Sequence, residues 1–221
     1  MICLNLKVYK ESIGLNGVKI LEQVSKYVAD NPESKEKFCV APSMLQLASL
    51  SKNFPNVTMA AQHSDSLPLG AGTGMVPAEE IFDLGVRYTV LNHSEHRVYN
   101  EKINDNIFYM QSIGLKVIVC CESIQEAEEL LTAKPYAIAY ETKELIGSGK
   151  SVATENPEIV TDFVKLVKGK SKAFIGAGIS TGEDIKKGLE LGAEGFILAS
   201  AFVKATDQYA KLDEFIQAFK I

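Results

Sequence analysis

Residues 136–167 read YAIAYETKELIGSGKSVATENPEIVTDFVKLV. They open on a short apolar run, Ala137-Ile138-Ala139-Tyr140, of strand length rather than helix length. They close on Ile159, Val160, Phe163, Val164 and Val167, which recur at helical spacing and make one apolar stripe. Asn156-Pro157-Glu158 precede the stripe. That triplet reads as an N-cap, a proline in the first turn and an acid near the positive helix end. The stretch is therefore one strand–loop–helix unit. Its loop carries Glu141 at the strand end and Gly147 and Gly149 flanking Ser148.

The same alternation runs outward in both directions. Seven further apolar runs lie at Ile2 to Val8, Phe38 to Ala41, Val57 to Gln62, Tyr88 to Asn92, Leu115 to Cys120, Ala173 to Ala177 and Gly195 to Ala199. Amphipathic stretches separate them. Ser180 and Glu183 match a capping box ahead of a helix from Ile185 to Leu191. Leu212, Phe215, Ile216 and Phe219 give the last helix a buried face. Strands alternating with helices imply βαβ units and a parallel sheet. No linker, low-complexity segment or charge block divides the 221 residues. The pattern predicts an α/β fold, a closed (β/α)8 barrel of the TIM-barrel type, as a single domain over residues 1–221. An open doubly wound sheet is the competing arrangement. No GxGxxG follows the first strand, which weakens a dinucleotide-binding reading.

Composition narrows the chemistry. Hydrophobic residues make up 46% and charged residues 23%, which suits a globular core. A net charge of -5 argues against nucleic acid as a partner but leaves room for a locally bound anion. Cys3, Cys39, Cys120 and Cys121 form no CxxC pair and no metal pattern. Three of them lie inside apolar runs, so they read as small buried hydrophobes in a reducing, cytoplasmic setting. No cofactor or metal is expected. The N-terminal run is too short for a signal peptide, and no run reaches the length a membrane helix needs.

In such barrels chemistry gathers at the C-terminal strand ends. On the first strand, period two places Asn5 and Lys7 on one face and Leu4, Leu6 and Val8 on the other. The apolar face should meet the helices. Lys7 then either compensates an anion at the barrel mouth or snorkels to solvent. The fourth strand ends in Asn92-His93-Ser94-Glu95-His96-Arg97. A helix starting beside His93 would keep the imidazole neutral, able to donate to a carbonyl oxygen. Glu95 would lie in the first helical turn and could pair with Lys7. His96 and Arg97 read as a solvated charge run, and His63 as structural. Glu141 is a candidate base beneath a glycine-hinged loop, though an ordinary surface loop has the same composition. Gly176-Ala177-Gly178 and Ala199-Ser200 let backbone N–H groups approach a phosphate, or serve only as tight turns.

Taken together, Asn5-Leu6-Lys7, Leu91-Asn92-His93-Ser94-Glu95, Tyr140-Glu141 with Ile146-Gly147-Ser148-Gly149, Gly176-Ala177-Gly178 and Ala199-Ser200 resemble the triosephosphate isomerase family, in its compact archaeal branch. The resemblance covers the whole chain. It implies interconversion of dihydroxyacetone phosphate and D-glyceraldehyde 3-phosphate. It makes Glu141 the base, His93 the neutral electrophile and proton shuttle, and Lys7 the stabiliser of enediolate and phosphate charge, with Asn5 beside it and Glu95 in support. Backbone groups of Ile146, Gly178, Ala199 and Ser200 would grip the phosphate. The segment Pro68 to Met75 corresponds to a loop that reaches a neighbouring subunit, so a homodimer or homotetramer is expected. Two departures stand out: Thr142-Lys143 occupies a place where that branch often carries prolines, and Ala201 replaces a glycine. A sugar-phosphate epimerase and a non-catalytic phosphate-binding barrel are the competing functions.

Overall fold

The computed structural model describes residues 1–98, 100–142 and 151–219. Eight parallel strands make one sheet: β1 (Ile2–Asn5), β2 (Phe38–Ala41), β3 (Ala60–Ala61), β4 (Tyr88–Leu91), β5 (Lys116–Cys121), β6 (Ala137–Tyr140), β7 (Lys172–Ile175) and β8 (Gly195–Leu198). Their order is β2-β1-β8-β7-β6-β5-β4-β3. The two outer members meet where Val40 N donates to Thr58 O at 2.9 Å and Val40 pairs with Met59. That contact rolls the sheet into a barrel.

Parallel neighbours cannot be joined by hairpins, so each connection crosses over through helix. The helices are α1 (Leu15–Asp30), α2 (Met44–Asn53), α3 (Ala78–Asp83), α4 (Ile103–Ile113), α5 (Ile124–Leu130), α6 (Val152–Glu155), α7 (Pro157–Val167), α8 (Gly182–Glu190), α9 (Ser200–Val203) and α10 (Gln208–Ala218). The predicted (β/α)8 barrel is therefore present. None of the helices among the described residues is long and apolar enough to cross a membrane.

Period-two alternation divides the core into two layers. Cys3, Cys39, Ala41, Val90, Ile118, Cys120, Ala137, Ala139, Phe174 and Ile197 fill the barrel. Leu4, Val40, Leu91, Val119, Ile138, Tyr140, Ile175 and Leu198 face the helices. The interior tolerates Phe174 only because its neighbours are small. A Cβ at Gly195 would lie 2.1 Å from the Phe174 ring. The four cysteines are free and buried.

Local departures from the sequence reading have physical causes. β1 ends at Asn5, because Lys7 takes a left-handed backbone with φ 48° and breaks the alternation. Val8 is consequently exposed instead of packing on the helices. In α7, Val160, Phe163, Val164 and Val167 are buried, while Ile159 is exposed. Ile159 stands one residue, about 100°, away from the i, i+3, i+4, i+7 stripe. The capping box lies at Thr181 and Asp184, one residue later than Ser180 and Glu183. Thr181 is still extended, so its Oγ1 is the one that meets the Asp184 N–H, at 3.2 Å.

Candidate active site

The inward register runs to the end of β1 and one position past the ends of β6, β7 and β8. Asn5 follows Cys3, Glu141 follows Ala139, Gly176 follows Phe174 and Ala199 follows Ile197. These positions ring the C-terminal mouth of the barrel, where a small pocket opens to solvent. Lys7, His93, Glu141, Gly178, Ala199 and Ser200 all line it. Asn5 lies just beneath, buried. Ile146 and the rest of the glycine-hinged loop, 143–150, fall outside the described residues.

Lys7 is held from both sides of its peptide. Its N–H donates to Asn5 Oδ1 at 3.0 Å, and its carbonyl accepts from Gln62 Nε2 at 3.0 Å. A left-handed backbone costs a residue with a Cβ about 1–2 kcal/mol. These two bonds keep Lys7 in that conformation, and its ammonium turns toward Glu95 Oε1 at 2.8 Å instead of snorkelling free. The Lys7 side chain is only 10% exposed, whereas Glu95 is half in solvent. A pair of this kind contributes at most about 1 kcal/mol of stability. Its consequence is orientation.

His93 follows a second left-handed residue, Asn92, with φ 59°. Asn92 Nδ2 donates to Cys120 O at 2.9 Å, and Oδ1 accepts from Val98 N at 2.9 Å. The segment after β4 is therefore a turn, closed by His96 N donating to His93 O at 2.8 Å. No helix begins beside His93; α4 starts only at Ile103. The expectation that a helix N-terminus governs the imidazole is thus corrected. One amide meets the ring instead: Glu95 N–H donates to His93 Nδ1 at 3.1 Å. An Nδ1 that accepts carries no proton, so the ring proton belongs on Nε2. Glu95 lies in this turn, not in a helix. It touches both Lys7 and, at 3.8 Å, the His93 ring.

Glu141 is 3% exposed. Its N–H is fixed to Cys121 O at 3.0 Å, which extends the β5–β6 ladder by one residue. Its Oε2 lies 3.4 Å from His93 Nε2 and has no hydrogen-bond partner among the described residues. A buried carboxylate oxygen without a donor is unusual and calls for a ligand or a chemical role. The Cys120 thiol lies against the same carboxyl. Its pKa is pushed up first by burial and next by the Glu141 charge.

The opposite wall is backbone. Gly178 has φ 72°, a conformation that favours glycine. Ala199 and Ser200 open α9, and their turn presents early helical N–H groups. Asp184 Oδ2 accepts from Ser180 N at 2.9 Å and Thr181 N at 2.8 Å, which pins the turn after Gly178. Beside it, Val152 N donates to Ala177 O at 3.1 Å. Among the described residues no group of three or more His, Cys, Asp or Glu side chains could hold a metal ion.

The family model described as Triosephosphate isomerase matches residues 1–218. The chain is 40% identical over 223 aligned residues to the triosephosphate isomerase of Methanocaldococcus jannaschii, covering 98% of this chain and 99% of the relative. It is 35% identical to that of Thermoplasma volcanium over 217 residues, 98% and 99% of the two chains. It is 37% identical to that of Methanothermus fervidus over 222 residues, 98% and 97%. The chain belongs to the triosephosphate isomerase family.

That family's substrate is a triose phosphate, and the pocket's mixed lining suits a small, polar, anionic molecule. In and around the pocket are residues that sequence reasoning left without a role. Gln62 and Asn92 brace the two left-handed residues, and Tyr9, Ile179 and Ile197 line the walls. Asn92 could have been found, because asparagine tolerates a left-handed backbone at a strand end. Gln62 carries no such signal: its two acceptors, Lys7 O and Ala41 O, lie 55 and 21 residues away.

Proposed function

We propose that this chain interconverts dihydroxyacetone phosphate and D-glyceraldehyde 3-phosphate through an enediolate, with Glu141 moving the carbon-bound proton. One observation carries the reading. A buried carboxylate oxygen that accepts no hydrogen bond among the described residues lies 3.4 Å from His93 Nε2, inside a pocket that also holds an ammonium. A substrate held against both groups from the pocket side would place its acidic C–H on Glu141 and its carbonyl oxygen on His93 Nε2–H. The imidazole polarises the carbonyl and passes protons between the two oxygens. Lys7, oriented by Glu95, balances charge on the enediolate and the phosphate. Asn5 keeps Lys7 in place. Backbone N–H groups of Gly178, Ala199 and Ser200 hold the phosphate and keep the reacting carbons in register.

The test is a coupled assay. Chelator-treated protein is incubated with dihydroxyacetone phosphate, and glyceraldehyde 3-phosphate is followed. Turnover unaffected by the chelator is expected. Activity that requires added metal would point to an epimerase-type barrel, and phosphate binding without turnover to a non-catalytic one.

The same reading includes self-association as a homodimer or larger. Val8, Leu15 and Leu45 are 73%, 80% and 99% exposed on the loops and helix starts that follow the adjacent strands β1 and β2. Leu69 and Met75 are exposed on the segment after β3, which neighbours β2. Apolar side chains gathered on one sector of a rim mark a contact surface. A charge there would have to be buried without a partner. Leu45→Glu is therefore expected to shift the protein to monomer in analytical ultracentrifugation. An unchanged sedimentation coefficient would contradict this use of the surface.

A further inference from the structure

Gly176 continues the inward register of β7 one position beyond Ile175. Its backbone does not require glycine, since its φ lies outside the left-handed region that Gly178 occupies. Space is the reason instead. A Cβ built at Gly176 would lie 2.3 Å from Glu141 Oε1 and 2.9 Å from both Glu141 Cγ and Cδ. Carbon contacts normally lie about 3.5–4.0 Å apart. The glycine's backbone is fixed, so the carboxylate would have to move. Gly176 N donates to Tyr140 O at 3.2 Å, so the glycine is tied to the strand that carries Glu141. The carboxylate is buried, with His93 on its Oε2 side.

We infer that Gly176 is a positioning residue for the reaction: its missing side chain is the slot that fixes where the Glu141 carboxylate lies. The inference rests on the proposed role of Glu141. A methyl group there would drive the carboxylate away from the wall by roughly an ångström. Displacements of that size cost on the order of 10²-fold in rate when the displaced group does the chemistry. The phosphate contacts are on other residues, so substrate affinity should change little.

The experiment is a double-mutant comparison. Gly176→Ala is expected to lower kcat about 10²-fold, with KM and inhibition by inorganic phosphate within about threefold of wild type. In a Glu141→Asp background the carboxylate is one methylene shorter and already withdrawn. There the same glycine change should cost less than about threefold. Near-wild-type kcat for Gly176→Ala, or an equal loss in both backgrounds, would overturn the inference. If Gly176→Ala does not fold, Glu141→Ala/Gly176→Ala decides. A double variant that folds with the Tm of Glu141→Ala supports the slot. One that also fails to fold shows that the methyl conflicts with the barrel wall, and overturns it. A wild-type protein without turnover would remove the reading of Glu141 as well, whereas an active wild type that tolerates Gly176→Ala overturns this inference alone.

Discussion

Glu141→Gln is expected to reduce kcat by on the order of 10²–10⁴-fold, the contribution of a positioned proton-transfer group. The substitution preserves shape, so the pocket and the β6 register should persist. What it removes is the basic oxygen. An amide cannot accept a proton from carbon at neutral pH. Stability should not fall, because the native carboxylate buries an oxygen that has no donor. Thermal melting of the variant is expected at or above the wild-type Tm, the usual sign that an active-site group is held at a cost to the fold. Steady-state kinetics and melting together check the pair of effects. Retained turnover would refute the base; a large loss of stability would show Glu141 to be structural.

Lys7→Ala is expected to lower kcat/KM by at least about 10²–10³-fold, the scale of losing one preorganised charge-stabilising donor. Alanine and lysine share a Cβ, so the left-handed backbone is no more strained than before. Asn5 and Gln62 still hold both sides of the peptide. The loss is electrostatic: the ammonium disappears and the Glu95 carboxylate remains beside the pocket, repelling the phosphate. Inhibition by inorganic phosphate should weaken along with turnover. Unchanged rate and unchanged phosphate inhibition would mean that Lys7 only decorates the rim. Raising the ionic strength separates this effect from long-range steering, since a contact pair inside the pocket is screened much less than exposed charges.

The barrel was legible because its two periods are regular. Ala137 and Ala139 point inward, and Glu141 is simply the next inward position, so its place at the mouth followed from counting. The stripe of Ile159, Val160, Phe163, Val164 and Val167 likewise named its buried face, apart from Ile159, which lies about 100° off it and is exposed. Counting failed wherever a side chain bends the backbone. Asn5 and Gln62 stabilise a left-handed Lys7, which stops the alternation that would have placed Val8 against the helices. Asn92 does the same before His93 and replaces the expected helix with a turn. Among the described residues the helix expected beside His93 is absent, and a turn stands in its place. A single Glu95 N–H, not a helix terminus, occupies Nδ1. Gly176 read only as a phosphate-cradle or turn glycine, because the contact that requires it comes from Glu141, 35 positions earlier in the chain. Local pattern reports propensity and face; it does not report what a distant side chain will press against.

All of these readings depend on one triose phosphate fitting between the carboxylate, the imidazole and the backbone cradle. A crystal structure with a phosphorylated enediolate mimic addresses this directly. The expected result places the phosphate on the N–H groups of Gly178, Ala199 and Ser200, and the mimic's planar end against both Glu141 and His93 Nε2, with Lys7 Nζ within hydrogen-bond reach. A mimic bound elsewhere on the barrel, or held by its phosphate with its planar end turned away from Glu141 and His93, would contradict it.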